Sequence, residues 1–196
     1  MDNQIVTGGA PLLGPQDFEC PAITLAGNVD QQMYMHFKSC LASVCQEGLV
    51  AIEMSTLGGD PEIARLMGED IRFHSDLHPE RRFVFLGKTA VYSAGATFMS
   101  FFAVENRYLT RGTRLMIHER LITKTVDLAG PLSTCVASLK AALNEIEASI
   151  VIQNEGFENL ILGSDVTMEE VLRRAPENWY VEANEAQARG LVTAVL

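Results

Sequence analysis

Short strand-forming runs alternate with amphipathic helices along most of the chain, and this alternation limits the fold more than any other feature. Runs at 22–26, 49–52 and 82–86 are each followed by a stretch with apolar residues at the helical spacing of three and four. Asp30, and Asp60 before a proline, are typical helix starts. Because strands joined through helices usually pair in parallel, the sequence predicts an α/β fold.

One domain is expected to hold most of the 196 residues, since a chain of this length fits a single domain of ordinary size. Residues 1–19 are rich in Gly and Pro without a period, so we interpret them as a flexible leader before a domain over 20–196. From about 130 to 154 a long helical pattern carries apolar residues such as Leu139 and Ile146 on one side.

The net charge, the length of the apolar runs and the positions of the histidines argue against several classes of partner. Lys and Arg number 15 against 25 Asp and Glu, a net charge of −10, and the absence of a basic stripe argues against nucleic acid. An acidic N-terminus and the lack of an apolar run of about 18 residues predict a cytoplasmic protein without a membrane partner. His74, Asp76 and His78 are metal-ligand types, but a solvated helix end explains them better, so no metal or cofactor is expected.

Three strand ends carry residues suited to chemistry. Gly58 and Gly59 let the backbone approach a ligand, Ser93 lies among small residues at a helix start, and His118 ends a short strand. Taken singly, these are an ordinary turn, an N-cap serine and a structural histidine. Since strand ends gather on one side of an α/β sheet, the three together indicate an acyl-transfer site.

The order and spacing of these segments resemble the proteolytic subunit of the Clp protease, ClpP. The family has a serine in a Ser-x-Gly-Ala context, and a histidine ends an Arg-x-Met-Ile-His strand 25 residues later. The matching stretches here are Ser93-Ala94-Gly95-Ala96 and Arg114-Leu115-Met116-Ile117-His118, followed by the segments at 180–186 and 190–192. The resemblance covers roughly residues 22–196.

The resemblance implies a ClpP/crotonase-like spiral of ββα units, with the helix at about 130–154 as a protruding handle between rings. It further implies a serine endopeptidase that hydrolyses peptides or unfolded proteins inside a homo-oligomeric chamber. Ser93 is then the nucleophile and His118 the general base. The backbone amides of Gly59 and Ala94 are the implied oxyanion hole.

The chain departs from the family pattern in three places that bear on function. Asn178 stands where the family has the third triad residue, an Asp, and Glu177 is the neighbouring alternative. Only the leader precedes the first strand, which argues against docking to a AAA+ ATPase. The glycine-rich strand after the histidine is replaced by a more polar strand over 119–128, so substrate preference does not carry over.

Two other functions stay open beside the peptidase. A catalytically silent ClpP-like ring subunit is favoured by Asn178 and opposed by the presence of Ser93 with His118. A crotonase-type acyl-CoA enzyme shares the fold, but it does not need a serine and a histidine at this spacing.

Overall fold

A seven-stranded sheet is the centre of the computed structural model, which describes residues 11–45 and 47–196. The strands are β1 (Ile23–Ala26), β2 (Gly48–Thr56), β3 (Arg81–Tyr92), β4 (Arg107–Leu109), β5 (Arg114–Ile117), β6 (Trp179–Glu182) and β7 (Ala194–Val195). The helices are α1 (Gln31–Ser43), α2 (Pro61–Leu77), α3 (Ala94–Met99), α4 (Leu132–Ile161), α5 (Met168–Arg174) and α6 (Ala183–Ala188). Strands β1, β2, β3, β4 and β7 are parallel neighbours in that order, which confirms the α/β prediction.

Strand β3 changes neighbour halfway along its length. Its residues 85–87 pair with β4, and residues 90–92 pair with β5. Between these halves the register against β2 slips, and Thr89 has a φ of 62°. The prediction that this strand ends at Gly87 is wrong: Gly87 allows a close approach, because a Cβ there would lie 2.6 Å from side-chain atoms of Leu109 and Val91.

Strand β6 was not predicted, and it is the antiparallel member of the sheet. It pairs with β5 in the register Leu115↔Val181 and Ile117↔Trp179. The strand predicted over 119–128 is also wrong, because the chain from 118 to 130 forms no strand pairing. This segment leaves the sheet after β5 and runs toward α4.

The first ten residues of the leader predicted over 1–19 lie outside the described residues, which begin at 11. Pro15–Phe18 form a 3-10 turn, and the Phe18 ring is buried with its centroid 5.1 Å from that of Tyr108. Together with Ala51, Val84 and Leu86, these rings form a small core on one face of the sheet. The larger core lies on the opposite face, beneath α1, α2 and α3.

The helix starts follow the predicted caps, whereas two helix ends differ. The side chain of Asp30 accepts from the Met33 amide, and that of Asp60 accepts from the amide of Glu62, so both caps are confirmed. Helix α3 ends at Met99, whereas the apolar spacing after Ser93 predicts a helix that runs through Ala103. Helix α4 continues seven residues beyond 154, because its last turns bury apolar side chains in the larger core: Phe157 and Leu160.

A buried arginine ties these helix ends together. The Arg107 side chain is 2% exposed and donates to the carbonyls of Ser100 and Phe102, which follow α3, at 3.1 and 2.7 Å. It also donates to the last carbonyls of α4, those of Asn159 and Leu160, at 3.0 and 2.7 Å. Burial lowers the pKa of Arg107 to about 10, so the side chain remains charged at neutral pH.

We expect Arg107→Met to lower the free energy of unfolding by about 3 kcal/mol or more, because several buried carbonyls lose a charged donor. Urea unfolding followed by circular dichroism measures the change. Arg114→Met is the matched control: it removes one exposed ion pair with Glu182 and should cost less than about 1 kcal/mol. Equal losses in the two variants would contradict the role assigned to Arg107.

Candidate active site

Ser93 lies at the turn between β3 and α3, with its backbone in a conformation that non-glycine residues rarely adopt. Its φ is 54° and its ψ is −113°, and its amide donates to the Met116 carbonyl at 2.8 Å. The residues around the turn leave it little space: a Cβ on Gly95 would lie 2.5 Å from Thr56 Cγ2, and one on Gly58 would lie 3.0 Å from Ser93 Cβ. The turn therefore fixes where the Ser93 hydroxyl points.

His118 follows β5 directly and meets Ser93 because β3 and β5 pair. The register Tyr92↔Met116 brings the two strand ends side by side. His118 Nε2 lies 2.6 Å from Ser93 Oγ, and with the proton on Nδ1 the hydroxyl donates to Nε2. Burial lowers the pKa of His118, which favours the neutral ring that can accept a proton.

Gly59 lines the same cavity as this pair, and Ala94 follows Ser93 directly in the chain. Gly59 has a φ of 143°, and a Cβ there would lie 2.3 Å from the Val29 carbonyl oxygen, so the position requires glycine. Gly59 lines the cavity, whereas Ala94 is the buried first residue of α3. Among the described residues, no hydrogen bond from either amide to a protein atom is seen.

Asn178 makes no hydrogen bond with His118 among the described residues. Continuing the β5–β6 register past Ile117↔Trp179 places Asn178 opposite His118, but Asn178 is exposed, with a φ of 58°. In the parts of the chain that the structure describes, neither Asn178 nor Glu177 bonds to the imidazole. Over the described residues, the hydrogen-bonded pair therefore consists of Ser93 and His118, and the role of Asn178 stays a prediction.

A cavity of about 260 Å³ extends from Ser93 and His118 between α2, α3 and α4. Four charged residues of its lining take part in ion pairs, namely Arg65, Glu69, Arg72 and Arg120, and Glu119 and Glu155 line it as well. The Glu62 carboxylate accepts from Arg65 at 2.8 Å and from Arg120 at 2.5 Å, and Glu69 accepts from Arg72 at 3.0 Å. Partial burial acts to raise the pKa of Glu62, but its bonds with Arg120 and Arg65 together lower it below its ordinary value.

Arg120 and Gln153 hold the segment that follows His118, and the sequence alone did not identify them. The Arg120 amide donates to Gln153 Oε1 at 2.7 Å, and Gln153 is a buried polar residue of α4. Together with the Arg120–Glu62 ion pair, this bond joins the segment to both α4 and α2. Spacing could have flagged Gln153, because it lies one turn before the buried Phe157 on the same helix face.

The histidines of α2 lie away from this cavity. The rings of His74 and His78 stack with their centroids 6.3 Å apart at the end of the helix. Over residues 11–45 and 47–196, no group of three or more His, Cys, Asp or Glu side chains could hold a metal ion. In the same residues, no helix is long and apolar enough to cross a membrane.

Comparisons with known proteins identify the fold. No protein-family model matches the chain, and no curated protein matches it in sequence. Among solved structures, a mutant of ClpP1 from Listeria monocytogenes matches with a TM-score of 0.65 over 89% of this chain and 90% of that one. The two sequences are 19% identical over this match. The chain therefore has a ClpP-like fold.

Proposed function

We propose that the protein is a serine endopeptidase that hydrolyses peptide bonds through an acyl-enzyme. The observation that carries the proposal is the 2.6 Å separation of Ser93 Oγ and His118 Nε2 at the end of a cavity of about 260 Å³. A hydroxyl bonded to a neutral imidazole is the minimum that nucleophilic catalysis by serine requires. The ClpP-like fold supports the same class of reaction.

The proposed hydrolysis proceeds through a complete sequence of proton transfers. Ser93 Oγ attacks the peptide carbonyl while His118 Nε2 takes the hydroxyl proton. The amides of Gly59 and Ala94 donate to the oxygen that becomes negative, and His118 then protonates the leaving amine as the C–N bond breaks. Water, deprotonated by His118, releases the acyl group and restores the Ser93 hydroxyl.

A catalytically silent ring subunit is the second candidate, and Asn178 favours it. In a complete triad the third residue accepts from Nδ1 and stabilises the imidazolium that forms in the transition state. Within the described residues, His118 has no such partner, and Asn178 would bring no negative charge if it moved closer. Direct labelling of Ser93 distinguishes the two candidates.

A fluorophosphonate probe should form one adduct per chain, on Ser93, because the Oγ that attacks a carbonyl also attacks phosphorus. Intact-mass measurement followed by peptide mapping locates the adduct. Ser93→Ala should abolish it, and Ser100→Ala, which changes another serine near α3, should not. An unlabelled wild-type chain would support the silent subunit.

The labelling rate should also rise with pH to a plateau. His118 accepts a proton only when it is neutral, and burial lowers its pKa, so the midpoint is expected below the ordinary value of 6.5. A rate independent of pH from 5 to 8, or the same profile in His118→Gln, would contradict general-base action by His118.

We expect Asn178→Asp to raise the rate of peptide hydrolysis, since a carboxylate opposite His118 would stabilise the imidazolium. In trypsin-like enzymes the reverse change, from Asp to Asn in the triad, costs about 10⁴ in turnover. Asn178→Gly keeps the left-handed backbone without strain and removes the side chain, and Glu177→Gln tests the neighbouring carboxylate. If all three variants hydrolyse peptides at the wild-type rate, the site acts as a Ser-His dyad.

We further propose that the chain assembles into homo-oligomeric rings through α4. The exposed length of α4 carries a row of apolar side chains, of which Leu132 is 85% exposed. The row consists of Leu132, Val136, Leu139, Leu143, Ile146 and Ile150. A surface of this kind on a soluble chain usually marks an interface. The ClpP-like fold of this chain also supports the proposal that identical chains associate.

Light scattering at micromolar concentration should give a mass several times the 21.5 kDa of one chain. Leu139→Glu with Leu143→Glu should reduce it, because both charges would be buried in the interface. Glu147→Gln is a control on the same helix that leaves the apolar residues unchanged. A monomeric wild-type protein would contradict the ring proposal.

A further inference from the structure

Arg120 makes the hydrogen bonds that hold the chain just after His118. Residues 118–130 form no strand pairing, so the sheet does not hold this segment. The Arg120 amide donates to Gln153 Oε1 at 2.7 Å, and the Arg120 guanidinium donates to Glu62 Oε1 at 2.5 Å. These two bonds lie two residues beyond the imidazole and therefore limit the movement of the main chain that carries it.

The Arg120 side chain is less exposed than the carboxylate that it binds. It is 19% exposed, against 55% for Glu62, and it lines the cavity beside the reactive pair. Glu119 and Glu155 line the same cavity, and in the described part of the chain neither of them bonds to Arg120. The second oxygen of Glu62 accepts from Arg65 at 2.8 Å, so both oxygens of this carboxylate are engaged with arginines.

Glu62 belongs to the turn that carries Gly59. It lies in the first turn of α2, three residues after Gly59, and its amide donates to Asp60 Oδ1 at 2.8 Å. The Asp60 amide in turn donates to the Val29 carbonyl at 2.7 Å, which ties the turn to the chain that follows β1. The position of Glu62 is therefore fixed relative to the Gly59 amide.

The ion pair between Arg120 and Glu62 joins the two halves of the proposed catalytic site. One partner lies two residues after His118, the proposed base, and the other lies three residues after Gly59, whose amide is proposed to bind the oxyanion. In a complete triad the third residue holds the imidazole, but no bond from Asn178 to the ring is seen in the described residues. A misplacement of about 1 Å can cost about 100-fold in rate, so a contact that fixes this spacing affects turnover.

We propose that Arg120 is a positioning residue, whose ion pair with Glu62 fixes His118 relative to the Gly59 amide. The inference rests on the proposed peptidase function and adds to it a residue that acts through the main chain. The Arg120 guanidinium transfers no proton in the proposed reaction. Its loss should therefore slow the attack on the carbonyl and leave substrate binding nearly constant.

Steady-state hydrolysis of a quenched fluorogenic peptide by the full chain tests this role. Arg120→Met removes the charge and keeps the amide that donates to Gln153, so kcat should fall at least about tenfold while KM changes less than about twofold. Arg120→Lys keeps a charged donor for Glu62 and should recover most of the rate. Lys38→Met is the matched control: it breaks a 2.9 Å ion pair between α1 and Asp70 of α2 outside the cavity lining, and both constants should stay unchanged.

Exchange of the two charges separates the ion pair from a general loss of packing. Glu62→Gln should lower kcat as Arg120→Met does, and Glu62→Arg combined with Arg120→Glu should recover part of the rate because the pair is restored in reverse. A higher KM with unchanged kcat in Arg120→Met would assign Arg120 to substrate binding and overturn the proposal. Failure of both Arg120→Lys and the double variant to recover kcat would also overturn it.

Nitrogen-15 NMR of the His118 ring separates this proposal from the proposed function, because the measurement needs no turnover. The bond between Ser93 Oγ and His118 Nε2 shifts the Nε2 signal, and Ser93→Ala supplies the signal of the ring without that bond. His118→Gln assigns the signal. In Arg120→Met the Nε2 signal should move toward its position in Ser93→Ala.

The two measurements together give distinct outcomes for the two proposals. If the Nε2 signal depends on Arg120 while the wild type hydrolyses nothing, the positioning role is supported and the peptidase is contradicted. If the wild type hydrolyses peptides and neither kcat nor the signal depends on Arg120, the peptidase is supported and the positioning role is overturned. A chain that shows neither hydrolysis nor a change of the signal overturns both.

Discussion

A single buried guanidinium, that of Arg107, fixes the two helices that enclose the candidate site. Helix α3 begins directly after Ser93, and α4 carries Gln153 and Phe157. The carbonyls at the ends of both helices therefore accept from the same guanidinium. The last carbonyls of a helix lack partners within that helix and carry partial negative charge, which a buried cation satisfies. The position of α4 over the cavity therefore depends on one residue of β4, remote in sequence from Ser93 and His118.

That Ser93 and His118 lie close together could be predicted from the sequence, but the strand pairing that brings them into contact could not. Both residues follow strand-forming runs, and strand ends of an α/β sheet gather at one edge. What the sequence did not provide is the reason they touch: β3 continues past Gly87 and then changes its neighbour from β4 to β5. A glycine ordinarily weakens a strand, and here it is required by the packing of Leu109 and Val91.

The rest of the site depends on contacts between distant parts of the chain, which periodicity does not reveal. Phe101, which lines the cavity, resembles an ordinary core residue in sequence. Gly68 of α2, against which the Phe101 ring packs, resembles a weak point in a helix. Strand β6 was missed because its four residues show no distinctive pattern, yet its pairing with β5 determines where Asn178 lies. The third position of the site therefore stayed a prediction on resemblance alone, and no bond from Asn178 supports it in the described residues.

The fork at β3 divides the sheet into two branches. One branch, through residues 85–87, carries β4 and β7; the other, through residues 90–92, carries β5 and the Ser93–His118 pair. A change of sequence in β7 acts on hydrogen bonds that the reactive branch does not share. A rearrangement of β7 would therefore reach the reactive pair only through β3 or through the Arg107 side chain of β4, which holds the ends of α3 and α4.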